Sequence, residues 1–408
     1  MGILRSWRYM LGERIRKLRK QKKLTLEGLA GTKMTKGMLS LIENNKAQPS
    51  MESLAYIAEQ LEVDVAELVG GANTEHVKEM LDQAEKLYNS QDIDVKYKRL
   101  LEIISLENLS QGYEAARLLE LYSYAMYWEK KDGWQPYLER AATLFDELNI
   151  SSNRASIGIF RASVKFVEHD YQGALDIFSK ERKGLEAKHA HLDALTKLEL
   201  DYHESVLLFA VGQNDRATEV MERAIEFSRE KRIFYLVDDL YRLAAAFAMD
   251  MQDHEKKDFY LLKLKQYGEF TDNTSSIQFC DLLQLMSLIT YDKEYEKALQ
   301  VADELLASIS AFYAPWFTLE RGRALYYLGR YEEALVDFEK VSIPDMHHPI
   351  DLAIFYVMDS YKALIKLEFG EKEESIQLAE RAVRNFEKIP LSVYKQFSQD
   401  VLEKVREE

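Results

Sequence analysis

The chain has 408 residues, of which 47% are hydrophobic, and its formal net charge at pH 7 is −15. A chain of this length is too long for one ordinary hydrophobic core, so we expect at least two domains. Only 6 Pro and 17 Gly are present, which favours long uninterrupted helices over a turn-rich β fold.

The sequence gives no indication of membrane insertion, secretion or disulfide formation. No apolar run reaches the roughly 18 residues that span a bilayer, and the amino-terminal residues lack the apolar stretch of a signal peptide. The single cysteine, Cys280, has no partner for an internal disulfide and is expected in the core. We therefore expect a cytoplasmic protein with no membrane partner.

Charge is distributed unevenly along the chain. The first 50 residues hold 12 Lys or Arg and 3 Asp or Glu, a balance of +9, whereas the remainder holds 42 basic and 66 acidic residues. A basic region attracts nucleic-acid phosphate and an acidic region is repelled by it. The asymmetry indicates a nucleic-acid-binding domain joined to a larger domain with another task. The alternative is a chance fluctuation in surface charge.

Residues 1–70 are predicted to fold as a bundle of four or five helices. The first helix is amphipathic, with apolar residues at helical spacing and a basic outer face. Thr25 and Thr35 are placed to cap the second helix and the third, which covers 36–43, and Ser50 opens the fourth. The apolar residues expected inside the bundle are Leu11, Ile15, Leu18, Leu29, Met38, Leu39, Ile42, Leu54, Ile57, Leu61, Val65 and Leu68.

The order of these apolar positions and caps resembles the XRE-type helix-turn-helix domain. Three matching segments are LGERIRKLR at 11–19, TKGMLSLIE at 35–43 and PSMESL at 49–54. A fourth, at 24–30, begins with LT and ends with LA. The resemblance implies that the third helix lies in the major groove of DNA. It also implies that Arg19 and Glu43 form an ion pair inside the domain.

Two sets of DNA contacts follow from this resemblance. The residues expected on the base-reading side are Thr35, Lys36, Gly37, Ser40 and Leu41. Lys36 can donate to guanine O6 and N7, but Gly37 and Leu41 leave few groups that discriminate bases, so specificity would rest on DNA shape or dimer spacing. The residues expected to contact phosphate are Thr25, Asn44, Asn45 and Lys46. The alternative is a bundle that packs against protein.

Residues 76–408, after a predicted linker at 71–75, are expected to form about seven or eight helix pairs. The clearest repeat covers 320–341, where Gly329, Tyr331, Ala334 and Phe338 resemble the tetratricopeptide pattern. Weaker copies place small residues at Ala174, Ala217, Ala298 and Ser375. The predicted fold is therefore all-α, with a helix-turn-helix bundle followed by a right-handed solenoid that has a concave face.

The first helix of each pair would line that concave face. Alignment on the small residue of the second helix places eight residues there, namely Tyr122, Glu199, Tyr202, Asp239, Arg242, Trp316, Arg323 and Tyr326. Aromatic and charged side chains suit an extended peptide, whose backbone and termini need polar partners. The alternative is that these side chains are solvated or paired within the protein.

A helix-turn-helix domain followed by such repeats resembles the RRNPP family of Gram-positive quorum-sensing regulators. The resemblance implies a homodimeric transcription factor that is switched by a short signalling peptide. The alternative is an interaction protein whose repeats bind a response regulator or another folded partner, with DNA binding secondary. No phosphate-binding, nucleophile or metal-ligand motif is evident, so we expect neither an enzyme nor a cofactor or metal.

Overall fold

The structure is a computed structural model, and it describes residues 3–44, 46–63, 65, 68, 71–90, 92–107, 109 and 111–408, with the backbone alone for 3–10, 71–74, 93 and 94. Within these residues all regular secondary structure is helical, which confirms the predicted all-α fold. The chain divides into two compact units, Met1–Ile150 and Ser151–Glu408.

The first unit begins with the helices of the predicted bundle. They are α1 (Ile3–Gln21), α2 (Leu26–Ala30), α3 (Lys36–Glu43) and α4 (Met51–Leu61). The last three start where they do because the side chains of Thr25, Thr35 and Ser50 each accept a hydrogen bond from the backbone N–H three residues on. The buried apolar core consists of Ile15, Leu29, Ala30, Leu39, Ile42, Leu54, Ile57, Ala58, Leu61 and Leu68.

Two details of the bundle differ from the sequence analysis. Met38 was expected inside but is 39% exposed, because Leu39 and Ile42 already occupy the buried side of α3. Residues 71–75 were expected to be a linker, but they form the first turns of the helix Gly71–Tyr88. The predicted limits of the two domains themselves stay a prediction.

A buried ion pair joins α1 to α3. Arg19 Nε donates to Glu43 Oε1 at 2.6 Å and Arg19 Nη2 donates to Oε2 at 2.9 Å, while Nη1 reaches the carbonyl oxygen of Leu24 at 2.9 Å. Glu43 is buried, and its hydrogen bond raises the pKa of Arg19. This two-pronged geometry fixes the orientation of α3 as well as its position. The predicted internal pair is confirmed.

The remaining helices of the first unit form two packed pairs. These are α5 (Gly71–Tyr88) with α6 (Ile93–Ile103), and α7 (Tyr113–Trp128) with α8 (Gln135–Leu148).

The second unit continues with further pairs, the helices of each packing against one another. They are α9 (Ser151–Val167) with α10 (Tyr171–Lys188), α11 (Ala194–Ala210) with α12 (Asn214–Lys231), α13 (Val237–Asp250) with α14 (His254–Thr271), α15 (Thr274–Thr290) with α16 (Tyr295–Leu306), and α17 (Ala314–Tyr327) with α18 (Tyr331–Lys340). In the last pair the first helix is broken into α19 (Pro349–Tyr356) and α20 (Met358–Glu368), which is followed by α21 (Lys372–Asn385) and a final helix, α22 (Val393–Glu407).

Small side chains at fixed positions allow the two helices of a pair to approach closely. Ala174, Ala217, Ala298 and Ala334 are fully buried, as the repeat pattern predicts. On the facing helix α17, a Cβ added to Gly322 would lie 2.6 Å from the ring of Phe338. Any larger residue there would force the pair apart.

The loop at residues 341–348, between α18 and α19, contacts repeats far away in sequence. Tyr171 Oη donates to the carbonyl oxygen of His347 at 2.9 Å, and His348 Nε2 lies 3.4 Å from the carbonyl oxygen of Val206. Since His348 Nδ1 accepts from the backbone N–H of Ile350, its proton lies on Nε2 and is donated to Val206. Burial lowers the pKa of His348 to about 4, which keeps the ring neutral. The loop thus fastens the start of α19 to α11.

Replacement of Gly322 by Ala should destabilise the second unit. We expect a loss of about 1–3 kcal/mol from overpacking against Phe338, seen as a lower midpoint of thermal unfolding by circular dichroism. The matched control is Gly184→Ala in α10, where an added Cβ meets nothing within 4 Å. That change should stabilise by about 0.5–1 kcal/mol because Ala is the better helix former. Equal effects of both substitutions would contradict the packing account.

Replacement of Glu43 by Ala should destabilise the amino-terminal bundle. The change leaves the partly buried Arg19 without a counter-charge, which costs about 1–3 kcal/mol. Hydrogen exchange of the full chain, read by mass spectrometry, should show lost protection in α1 and α3. Glu59→Ala removes an exposed carboxylate from α4 and should leave protection within the range of surface substitutions. Indistinguishable protection in the two variants would overturn this role of the ion pair.

Candidate functional site

The exposed side of α3 carries the residues predicted to read bases. Lys36, Gly37 and Leu41 are exposed and Ser40 is partly exposed, whereas Leu39, Ile42 and Glu43 on the other side are buried. This split follows from helical periodicity, because residues three and four apart share a side. The short helix therefore presents one continuous accessible side, to which the exposed Met38 is an unpredicted addition.

The predicted phosphate-contacting residues lie at helix ends. The hydroxyls of Thr25 and Thr35 accept from the N–H groups of Gly28 and Met38 at 3.0 and 3.1 Å, which places both at helix N-termini. Such ends carry unpaired N–H groups and a partial positive charge that favour anions.

The other predicted phosphate contacts follow α3. Asn44 ends the helix by donating to the carbonyl oxygen of Ser40 at 2.7 Å, and it accepts from Arg16 Nη2 at 2.9 Å. Lys46 is exposed beyond it. Asn45 lies outside the residues that the structure describes.

Lys36 is engaged by a neighbour that the sequence did not reveal. Its Nζ lies 2.5 Å from Glu27 Oε1, and both side chains are more than half exposed. The hydrogen bond from Lys36 lowers the pKa of Glu27. The two residues are nine positions apart on different helices, so no helical spacing signals the pair. The turn between α2 and α3 brings them together.

Four of the residues predicted for the concave face come together in the second unit. Glu199 and Tyr202 lie on α11, and Asp239 and Arg242 lie on α13, the first helix of the next pair. Burial raises the pKa of Tyr202, and the nearby carboxylate of Asp239 raises it further.

Arg242 is already held by the protein. It donates to Ser276 Oγ at 3.0 Å and to Tyr313 Oη at 3.2 Å, and it lies 3.9 Å from Asp238 Oδ2. Its charge is therefore shared with an acid on its own helix. This leaves Asp239 beside it with no hydrogen bond or ion pair of its own in the described part of the chain.

Two other predicted residues lie in the core. Trp316 is 5% exposed and packs edge-on against Phe355, and Arg323 is 4% exposed. Arg323 donates to Glu320 one turn earlier at 2.7 Å and to Tyr361 at 3.2 Å. The fully buried Glu320 draws the guanidinium into the helix interface. As they stand, neither side chain can touch a ligand.

The last two predicted residues are partly buried among aromatic rings. Tyr326 meets Tyr361 edge-on, with centroids 5.1 Å apart, and Tyr122 in the first unit meets Tyr137 in the same way at 5.2 Å. Within the second unit, the structure does not bring Tyr326 into the group around Tyr202.

A pocket of about 200 Å³ opens beside Tyr202. Its lining is formed mainly by Ile159, Phe166, Tyr202, His203 and Val206. Burial lowers the pKa of His203 to about 4, and no hydrogen bond to this ring occurs among the described residues. The pocket is apolar apart from its Tyr, His and Ser members.

Asp351 is a member of this region that the sequence analysis missed. It lies one turn after His348, whose contact with Val206 sets the start of α19 against α11. Its charge acts on the Tyr202 phenol, and burial raises the pKa of Asp351 to about 6. The repeat pattern gives no signal for it, because the first helix of this pair is broken at Val357 and begins with a long loop.

Two features are absent from the described residues. None of their helices is both long and apolar enough to cross a membrane. No group of three His, Cys, Asp or Glu side chains among them is arranged to hold a metal ion.

Comparison with known proteins identifies the amino-terminal region. Residues 12–73 match the family model described as a helix-turn-helix domain. No curated protein sequence matches the chain. Among solved structures, PlcR of Bacillus thuringiensis in complex with the peptide PapR7 and DNA is 19% identical, covering 67% of this chain and 99% of that one with a TM-score of 0.39.

Two further solved structures are similar to this chain. The SHP pheromone receptor Rgg2 of Streptococcus dysgalactiae is 16% identical, covering 66% of this chain and 98% of that one with a TM-score of 0.32. ComR of S. thermophilus, in complex with DNA and its signalling peptide ComS, is 14% identical, covering 97% of this chain and 99% of that one with a TM-score of 0.25. The chain therefore carries a helix-turn-helix domain at its amino terminus, within an all-α fold whose remaining helices are arranged largely in pairs.

Proposed function

We propose that this protein is a transcriptional regulator that binds double-stranded DNA as a homodimer in the cytoplasm, and that its repeats sense a short signalling peptide. The observation that carries the DNA-binding proposal is the accessible side of α3, where Lys36 and Ser40 project from a helix whose N-terminus is capped by Thr35. The helix lies within the first 50 residues of the chain, whose formal charge balance is +9.

In the proposed complex α3 enters the major groove. Lys36 donates to a guanine or to a phosphate, and Ser40 donates to or accepts from a base edge. The N-termini of α2 and α3, at Thr25 and Thr35, face phosphates, as do the residues Asn44, Asn45 and Lys46. Gly37 and Leu41 add contact area and little base discrimination. The two helix-turn-helix domains of the homodimer read two half-sites, whose centres are spaced by about 10 base pairs or a multiple of that distance.

Peptide sensing is supported by the group around Tyr202. Glu199, Asp239 and Arg242 place charges beside an aromatic ring, Tyr202, which also lines a pocket. A peptide that binds one curvature of the repeat array more tightly than another would change the distance between the two helix-turn-helix domains of the dimer. Tyr122 and Tyr326 stay candidate contacts, whereas Trp316 and Arg323 are buried in the core.

A second function has one observation in its favour. A groove of about 300 Å³ between α12 and α13 is lined by apolar residues that include Ile225, Ile233 and Tyr241, with Phe234 66% exposed at its edge. Exposed aromatic residues beside a groove suit a folded protein partner. The repeats would then bind a response regulator or a similar protein, with DNA binding secondary. Retention of such a partner by the full chain and its loss on Phe234→Ser would favour this function.

Replacement of Lys36 by Ala should weaken binding to the DNA upstream of the protein's own gene. Glu27→Gln should strengthen it several-fold, because it frees Lys36 and removes a negative charge next to phosphate. Titrations by fluorescence anisotropy at 50 and 200 mM salt would measure both effects. If Lys36 contacts a phosphate, its loss should lower the slope of log affinity against log salt by about 1.

The matched control is Lys404→Ala, which removes one exposed positive charge from α22 in the second unit. It should leave affinity and salt slope unchanged. Equal losses in the Lys36 and Lys404 variants would mean that α3 makes no specific contribution. A monomer that binds one half-site as tightly as the full site, measured by sedimentation, would contradict the homodimer.

A further inference from the structure

Three carboxylates without a bonding partner surround Tyr202. Glu199, Asp239 and Asp351 make no hydrogen bond or ion pair with any residue that the structure describes. They come from three different helices, α11, α13 and α19. Each is partly buried, so each loses part of the water that would otherwise stabilise its charge.

Shared neighbours link these carboxylates into one site. Asp239 and Asp351 both act electrostatically on the phenol of Tyr202, and Glu199 and Asp239 both act on the phenol of Tyr235. The positions of the helices agree with this grouping. Tyr202 lies one turn before Val206 on α11, and Asp351 lies one turn after His348 on α19. The hydrogen bond from His348 to Val206 holds these two turns together.

The protein supplies little positive charge to this site. Arg242 acts on Asp239, but its guanidinium is bonded to Ser276 and Tyr313 and lies near Asp238. Burial raises the pKa of Glu199 and of Asp239, and that of Asp351 to about 6. These shifts express the free-energy cost of holding unpaired negative charges there. A bound cation would remove that cost.

The neighbouring pocket gives an independent indication of a ligand. It measures about 200 Å³ and shares Tyr202 with the carboxylate site. Its wall includes His203, an unpaired ring that lies deep in the protein with a part open to the pocket. Phe166 and Val206 supply an apolar surface beside it. A mainly apolar pocket that shares Tyr202 with a group of carboxylates suits a ligand that joins a hydrocarbon part to a positive charge.

We propose that this site, formed by Glu199, Asp239, Asp351 and the pocket beside Tyr202, binds a positively charged group of the sensed peptide. Two groups share that chemistry: a free amino terminus that follows an apolar side chain, and a Lys or Arg side chain whose stem fills the pocket. The proposal rests on peptide sensing and specifies which peptides are sensed. It predicts that acidic peptides are disfavoured, because three carboxylates repel them and the one arginine of the site, Arg242, already bonds Ser276 and Tyr313.

Four sets of randomised heptapeptides test the proposal. Two have a free amino terminus and two are acetylated, and within each pair one contains a fixed Lys and the other norleucine at that position. Peptides retained by the immobilised full chain are identified by mass spectrometry at 50 and 300 mM salt. We expect at least a tenfold preference for positively charged peptides over the acetylated norleucine set, weakened at the higher salt. Loss on acetylation identifies the amino terminus, and loss with norleucine identifies the side chain.

Variants connect the preference to the site. Two variants should each lose most of the preference for positively charged peptides. One combines Glu199→Gln with Asp239→Asn, and the other carries Asp351→Asn alone. The control Glu269→Gln removes an exposed, unpaired carboxylate from α14 and should keep it. Circular dichroism establishes that each variant is folded, and the single Asp351 variant keeps the test decisive if the double variant unfolds.

The outcomes separate the two proposals. Retention of neutral or acidic peptides as strongly as basic ones, or a preference that survives in the site variants, overturns the charged-group proposal and leaves peptide sensing intact. Retention of no peptide from any set overturns both proposals. DNA binding, measured with the same preparation, is tested independently of both peptide results.

Discussion

The close approach of the two helices in each pair is the constraint on which the second unit depends. It is met by small residues at fixed places, such as Ala334 and the facing Gly322, whose missing side chain leaves room for the Phe338 ring. The first helices also carry polar residues such as Tyr202 and Asp239, which are partly buried, so that burial raises the pKa of both. The same repeat thus supplies both the scaffold and a surface for a ligand.

The sequence predicted the features that depend on local chemistry. Thr25 and Thr35 cap helices because a short hydroxyl side chain beside an amphipathic pattern has few other roles. The small residues at Ala174 and Ala217 set the repeat because their spacing persists along the chain. The Arg19–Glu43 pair was predicted through the resemblance to a known domain. Residues on one helix, such as Glu199 and Tyr202, could be grouped because helical geometry relates them directly.

Features that depend on contacts between distant segments could not be predicted. Arg323 has the register of a concave residue, but it lies in the core, where it donates to Tyr361 on α20 as well as to the buried Glu320. Asp351 cannot be aligned with the repeat pattern, because its helix begins after an irregular loop and breaks at Val357. Glu27 meets Lys36 only through the turn between their helices. In each case the deciding partner lies outside the repeating pattern, and a periodic pattern carries no information about it.

The contacts of the 341–348 loop change how the second unit should unfold. In a linear array each repeat is stabilised by its immediate neighbours, so the ends fray first and stability adds up repeat by repeat. Here Tyr171 is joined to His347 across 176 residues and Val206 to His348 across 142. The last pair therefore cannot fray without also giving up bonds to the first two pairs of this unit. Such a fastening turns a chain of nearest-neighbour equilibria into one more cooperative transition.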